Sequence, residues 1–315
     1  MIRTFAVSTD MGGVAHDPTT GLTHRWGAPH ALPGRRGLRE EDVLTGPVIQ
    51  PRELERSTPA SLCWSPIVRC NLACPHCLDD TTVTEAGLAS RRRVAWLLSR
   101  TGVLGVDISG GEPLLLRDLP DLARLVTAGG RTAVSVTTNG WHLARRAVDL
   151  VGAVDAVRVS FDGPTAADHD QLRGPGSFAH ACEGIRTAVA AGLPVQLQTV
   201  VMASTAPHAQ AIVDLAVDLG AGGVTYLQML PIGAGAKLAT AEAVDDTAAR
   251  DLIAGLEVPA GLRMRLRTRD DAGGFTVIRA DGQVWRNDAY ATGIAGLRPF
   301  TAARDLTLVG SGEPS

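Results

Sequence analysis

From about residue 60 onward the chain alternates short runs of apolar and β-branched residues with longer amphipathic stretches. Strand-like runs fall at 62–68, 105–109, 133–137, 156–161, 195–201 and 223–229. Helix-like stretches fall between or after them, at 84–99, 119–128, 143–151, 178–191, 206–219 and 241–256. Strands interleaved with helices in this way predict an α/β fold. Its sheet is mainly parallel with right-handed crossovers, because parallel neighbours need a long connection between them. Functional side chains are then expected in the loops that leave the C-terminal ends of the strands.

The flanks read differently. Residues 1–58 are rich in Gly, Pro, Asp and Arg with weak periodicity, and are read as an irregular N-terminal extension holding short strand-like pieces such as 4–8. Its segment His24-Arg25-Trp26 is either solvated loop or, if the extension covers a barrel mouth, part of a substrate site. Residues 59–257 form the core. Beyond it Arg alternates with apolar residues over 263–267, and Asp281-Gly282 stands as a hairpin turn between two β runs. Residues 258–315 therefore read as a small C-terminal β appendage with a frayed tail.

The chain has 315 residues, 45% of them hydrophobic and 20% charged, which suits an ordinary globular protein rather than a disordered one. A net charge of −3 sets up no global field for nucleic acid or an acidic membrane. There is neither a secretory signal at the N-terminus nor a run of about 18 apolar residues that would span a bilayer. The expected location is cytoplasmic.

Four of the five cysteines, Cys63, Cys70, Cys74 and Cys77, fall within fifteen residues, whereas Cys182 lies alone in a helix-like stretch as a packing residue. In a reducing compartment such crowding points to metal rather than disulfides. Arg69-Cys70-Asn71-Leu72-Ala73-Cys74-Pro75-His76-Cys77 is a C-x₃-C-x₂-C run directly after the first strand. Three thiolates on one loop can hold three corners of an iron–sulfur cubane and leave one iron open. They can also join Cys63 as a closed tetrahedral zinc site. The cysteines leave both readings standing.

Further segments follow in order at successive strand ends: Ser109-Gly110-Gly111-Glu112-Pro113, Thr137-Thr138-Asn139-Gly140, and Ser160-Phe161-Asp162-Gly163-Pro164 with His169-Asp170 and Arg173-Gly174. Together with the cysteine run, over about residues 60–235, they resemble the radical S-adenosylmethionine (SAM) superfamily. The last segment is similar to the branch of SPASM/twitch-type peptide- and metabolite-modifying enzymes. That resemblance implies a partial (β/α)6 TIM-like barrel, with a [4Fe–4S] cluster on Cys70, Cys74 and Cys77. His76 would lie beside bound SAM, and Gly110, Gly111, Glu112 and Pro113 at its amino group, where the glycines allow close backbone approach and Glu112 or nearby carbonyls accept from the ammonium. Thr138 and Asn139 would line the pocket. Ser160 and Arg173 would contact the methionine carboxylate, for which a guanidinium is suited. Asp162 would shape the pocket, and Val200, Leu230 and Pro231 would edge the adenine. Tyr226 and Gln228 are further candidates for the substrate cavity.

The resemblance also implies the chemistry. The reduced cluster passes an electron into the SAM sulfonium, and the resulting 5′-deoxyadenosyl radical takes a hydrogen atom from substrate, with the protein supplying position and exclusion of water. An electron donor such as flavodoxin or ferredoxin is expected. No cysteine follows Cys182, so the auxiliary clusters of that branch are not expected. The expected substrate is a small polar metabolite (a sugar, nucleoside or amino acid) in specialised biosynthesis. The alternative is a ribosomally made peptide whose leader the N-terminal extension helps to hold. A reading from another class, a non-catalytic zinc or iron–sulfur protein, explains the cysteines but not the remaining motifs. Nucleic acid and membrane are not expected partners.

Overall fold

The computed structural model describes the chain except residues 10–12, 28–31, 51–52, 55–56, 79–81, 272–274, 288–290 and 309–315. The N-terminal part forms strands β1 (Ile2–Ser8), β2 (Val14–His16), β3 (Thr23–Arg25) and β4 (Gly34–Arg39), followed by helix α1 (Glu40–Leu44). The core runs β5 (Ser61–Trp64), α2 (Leu88–Leu98), β6 (Gly105–Ile108), α3 (Leu119–Thr127), β7 (Ala133–Thr138), α4 (Leu143–Leu150), β8 (Ala156–Ser160), α5 (Ala166–Arg173), α6 (Ser177–Ala190), β9 (Val195–Val201), α7 (Ala209–Asp218) and β10 (Gly223–Gln228). Then come α8 (Ala239–Glu242), α9 (Asp246–Ala254), β11 (Arg263–Arg267), β12 (Thr276–Ile278), β13 (Gln283–Arg286) and β14 (Arg298–Pro299).

Strands β5 to β10 pair in sequence order and in parallel, as the alternation predicts. Period-two alternation sorts their side chains. Val106, Ile108, Val134, Val136, Val157, Val159, Leu197, Val224 and Tyr226 face the helices and form the main core. Each fully buried side chain of this kind contributes about 1.5–3 kcal/mol. Cys63, Asp107, Ser135, Thr137, Arg158, Gln198 and Thr225 face the other way and line a cavity.

Two local expectations are corrected, and one helix is added. The first strand stops at Trp64 rather than 68, because Pro66 has no N–H for the ladder. The helix expected over 241–256 is two helices, since the Asp245 side chain accepts from Ala248 N (2.8 Å) and caps a new start. Helix α5 carries the segment between Asp162 and Arg173, and is capped by Thr165.

The C-terminal boundary at 257 falls inside the sheet. β11 pairs in parallel with β10, and β12 pairs in parallel with β5, so the ten-stranded order is β11-β10-β9-β8-β7-β6-β5-β12-β13-β14. The β12–β13 hairpin turns at Asp281-Gly282, where Gly282 has φ 79°. β11 and β12 stand seven strand spacings apart in that order, about 34 Å if the sheet were flat. Only the residues between Arg267 and Thr276 join them, a reach of at most about 32 Å even when fully extended. The sheet therefore curls into a partial barrel around the cavity.

The N-terminal extension is not irregular. It forms an antiparallel sheet of order β3-β2-β1-β4. β1 shows no clear alternation because it is covered on both faces. Phe5 and Val7 pack with Ala15 and Val43 on one face, and Ala6 packs with Val14, Ile49 and Leu54 on the other. The second cluster includes Leu104 and Ala133, beside the N-terminal ends of β6 and β7. Arg35 pairs with Asp155 there (Nε–Oδ2 3.0 Å), and Arg158 reaches out of the barrel to Pro18 O (2.7 Å) and Thr19 O (3.1 Å). The extension thus closes the floor of the barrel, not its mouth.

Candidate active site

The cysteine loop leaves β5 over the second strand end. Gly111 N donates to Ile67 O (2.8 Å) and Glu112 N to Arg69 O (2.9 Å). A Cβ on Gly110 would stand 2.3 Å from Ile67 O, and one on Gly111 would stand 2.3 Å from Arg69 O. The two glycines therefore make room for the chain leading into Cys70. From the other side Glu85 accepts from Val68 N (3.0 Å) and Arg69 N (2.8 Å). Burial raises the Glu85 pKa, but these donors and the Arg69 guanidinium outweigh it and hold the carboxyl below its ordinary range. Sequence reasoning missed Glu85, which no motif marks.

Glu112 joins two of the loops. Its carboxylate is fully buried and accepts from Leu114 N (2.9 Å), Thr138 Oγ1 (2.7 Å) and Asn139 N (2.8 Å). It staples the loops after β6 and β7 together. Burial pushes its carboxyl up against the pull of those three donors. Pro113, the next residue, opens a single 3₁₀ turn. Asn139, fixed by this staple, donates to Asn71 Oδ1 (3.0 Å) and lies 3.7 Å from Cys70 Sγ.

A second buried network centres on Asp162. Its Oδ2 accepts from Arg173 Nε (2.6 Å) and lies 3.1 Å from His76 Nε2, while Oδ1 accepts from Val200 N (3.0 Å). Burial works against the charged carboxylate, but Arg173 and His76 hold it well below the usual range. Arg173 Nη1 lies 4.0 Å from Cys74 Sγ, which ties this network to the cysteine loop. His76 lines the cavity, and its Nδ1 is buried without a hydrogen-bond partner among the described residues. Beneath Asp162, His169 Nδ1 accepts from Asp162 N (3.3 Å) and its ring packs on Phe161. Burial, then Arg173, lower its pKa to about 4. The Ser160 hydroxyl makes no hydrogen bond with a described residue.

After β10, the stretch Leu230-Pro231 turns back over the cysteine loop. Ala234 N donates to Cys77 O (2.8 Å), and a Cβ on Gly233, which has φ 62°, would meet Cys77 O at 2.7 Å. Leu230 and Val200 line the cavity with His76. That cavity holds about 380 Å³, within the range of small-molecule sites. Cys63 lines it too, away from the other cysteines, and Cys182 packs in the core. Tyr226 faces outward and donates to Ala209 O (2.7 Å). Gln228 donates to Val244 O (2.6 Å), bracing the end of β10. His24 sits in β3 with Nδ1 3.0 Å from Gly46 O, and Trp26 packs beneath the N-terminal sheet; neither faces the cavity.

The donor set fits an iron–sulfur cluster. Among the described residues no three His, Cys, Asp or Glu side chains converge as a single metal ion requires, whereas a cubane spreads its thiolates one to each iron. Leu72 N (3.4 Å from Cys70 Sγ), Asn139 and Arg173 aim N–H groups at the sulfurs. Burial pushes the Cys70 and Cys74 thiols up, against the Leu72 N–H at Cys70 and the Arg173 charge at Cys74. Thiolates there call for a cation to hold them. No helix among the described residues is long and apolar enough to cross a membrane.

Comparison with known proteins agrees with this geometry. Residues 64–216 match the radical SAM superfamily. A GTP 3′,8-cyclase of Pelotomaculum thermopropionicum is 32% identical over 73% of this chain and 78% of its own. An AdoMet-dependent heme synthase of Oleidesulfovibrio alaskensis is 32% identical over 62% of this chain and 52% of its own. Streptococcus suis SuiB, solved bound to its precursor peptide SuiA, superposes with a TM-score of 0.61 at 16% identity, covering 72% of this chain and 59% of that one. The chain belongs to the radical SAM superfamily, which implies an iron–sulfur cluster and SAM. It spans about half the length of the heme synthase and somewhat more of SuiB.

Proposed function

We propose that this chain is an enzyme that cleaves SAM reductively at a [4Fe–4S] cluster held by Cys70, Cys74 and Cys77. The resulting 5′-deoxyadenosyl radical takes a hydrogen atom from a small polar metabolite such as a sugar, nucleoside or amino acid. The observation that carries the reading is the cysteine loop itself. It is seated on Gly110 and Gly111, tied to the Asp162–Arg173 pair, and set beside a cavity walled by His76, Val200 and Leu230.

When bound and reduced, the cluster supplies the electron for the cleavage. The chain's own residues position and shield. Arg173, oriented by Asp162, and the Ser160 hydroxyl receive the methionine carboxylate. Backbone carbonyls around Gly110 to Pro113, rather than Glu112, accept from the methionine amine. Thr138 and Asn139 hold the pocket wall, and Val200, Leu230 and Pro231 edge the adenine beside His76. Cys70, the exposed member of the triad, marks the side where a flavodoxin or ferredoxin would deliver electrons. A cavity of about 380 Å³ whose floor is closed by the N-terminal sheet suits a small molecule. The peptide reading ranks second.

The test is anaerobic reconstitution with iron and sulfide, then SAM and a strong reductant, with 5′-deoxyadenosine followed by mass spectrometry. Production by wild type and none by Cys74→Ala is the expected result. Uptake of one zinc with no sulfide would overturn the reading. Deuterium transferred into 5′-deoxyadenosine from labelled candidates would identify the substrate.

A further inference from the structure

The alternation of arginines in β11 has a structural outcome. Met264 and Leu266 pack against the core, while Arg265 and Arg267 face the cavity. With Arg158 they put three guanidinium groups on one cavity wall. Arg158 has a carboxylate, Asp107, at 3.0 Å, itself fixed by Ser135 Oγ (2.6 Å) and Thr137 Oγ1 (2.8 Å). The other cavity acid, Asp271, accepts from Thr268 (2.9 Å) and has Arg250 at 3.7 Å. Arg265 and Arg267 have no carboxylate within ion-pair distance among the described residues. Arg265 has one contact, to Thr20 O (2.5 Å), and Arg267 lies 4.7 Å over the Phe275 ring with no hydrogen bond to a described residue.

Thr225 stands in the same wall, and Gln196 is buried on the neighbouring strand. Gln196 is fully buried and Thr225 is 3% exposed, and Gln196 Oε1 and Nε2 and Thr225 Oγ1 have no hydrogen-bond partner among the described residues. In the strand register Gln196 is beside Arg158, and Thr225 is beside Arg265. Buried polar atoms are almost always satisfied, so each orphan needs an explanation. Arg265 and Arg267 are half-buried, and a partly desolvated charge without a counter-ion carries a cost of its own. Burial, then the neighbouring Arg267 and Arg158, push the Arg265 pKa down to about 9, the response of a cation that lacks its counter-ion.

We infer that this wall is a binding site for an anionic group of the substrate, a carboxylate or a phosphate. Arg265 and Arg267 grip its oxygens, and Thr225 completes the hydrogen bonds. Guanidinium groups suit both anions because each presents paired N–H donors. The inference rests on the proposed enzyme reading only in calling the anion part of a substrate, and it narrows the polar metabolites above to acidic ones.

The test uses the full chain, reconstituted anaerobically, with inorganic phosphate and succinate as probes and sodium chloride at matched ionic strength as the control. Melting temperature and calorimetric Kd are measured for wild type, Arg267→Gln, Arg265→Gln and Arg263→Gln, with SAM binding followed in parallel. At least one probe is expected to raise the wild-type melting temperature saturably while chloride does not; phosphate alone or succinate alone would tell which anion fits. Arg267→Gln and Arg265→Gln should raise the Kd at least tenfold and Arg263→Gln should not. Without a probe, Arg267→Gln should melt no lower than wild type, because it removes a half-buried charge with no carboxylate beside it among the described residues; a merely structural arginine would lower it. If Arg265→Gln fails to fold for want of its Thr20 contact, Arg267→Gln decides alone. No saturable shift with either probe, or an undiminished shift in Arg267→Gln, overturns the inference. Anion binding without SAM binding would keep this site and remove the enzyme reading; SAM binding without anion binding would do the reverse.

Discussion

The mouth and the floor of the barrel are each pinned by a buried arginine paired with an aspartate, yet they are built over very different spans of chain. At the mouth, Arg173 reaches Asp162 eleven residues away, within one strand–loop–helix unit. At the floor, Arg158 pairs with Asp107 and also caps carbonyls of Pro18 and Thr19, some 140 residues away. The mouth is therefore assembled from compact units that carry their chemistry in short motifs. The floor exists only once distant segments have met. Chemistry that must be precise is written locally, and enclosure is achieved by long-range packing.

Cutting the mouth should cost function first. Cys74→Ala is expected to abolish both the brown absorbance of the reconstituted protein and 5′-deoxyadenosine formation, whereas Cys63→Ala should retain its iron and sulfide. Iron lost from Cys63→Ala would return Cys63 to the ligand set. Arg173→Ala leaves the Asp162 carboxylate buried without its cation, which costs about 3–5 kcal/mol. It should lower the urea midpoint and weaken SAM binding while the cluster still assembles. SAM affinity equal to wild type would remove Arg173 from the binding set.

The floor should answer in stability. A Cβ on Gly105 would lie 2.1 Å from His16 Nε2, so Gly105→Ala should cost about 1–3 kcal/mol through forced repacking while cluster content stays at the wild-type level. Loss of the cluster in that variant would show that the two ends are coupled. The smallest effect concerns pH. Burial, opposed by Asp17, lowers the His16 pKa from 6.5 to about 3. Below 6.5 the unfolded chain takes up a proton that folded His16 refuses, so stability falls as pH falls from 6.5 towards 3. This group contributes about 1 kcal/mol per pH unit. His169, depressed to about 4, acts with the same sign. His16→Gln should therefore flatten, without abolishing, the decline in urea midpoint between pH 6.5 and 5. An unchanged slope would mean that His16 titrates freely in the folded protein.

This contrast also explains what the sequence could tell. The parallel core was legible because β6 to β10 each bury one face against helices and turn the other inward, which leaves a regular pattern. The mouth was legible because its loops carry motifs of contiguous residues. The roles inside those motifs were less so. Gly110 and Gly111 make room for backbone, and Glu112 staples two loops; both roles depend on partners far along the chain. Glu85 was invisible for the same reason, as it braces the loop through backbone N–H groups that have no sequence signature. The N-terminal sheet read as irregular because burial on both faces of β1 erased its alternation. β11 was assigned to an appendage because its outward residues are only partly buried and its inward ones are arginines.

The pairing of β12 with β5 carries a consequence for biosynthesis. Trp64 takes its outer partner, Ile278, more than two hundred residues later in the chain. At about 5–20 residues per second, the free edge of β5 would wait roughly 10–40 s on the ribosome. All the while it offers unpaired N–H and C=O groups to any passing strand. The strand that starts the barrel is thus among the last to be completed, and nascent chains truncated before residue 276 should be the ones that chaperones hold longest.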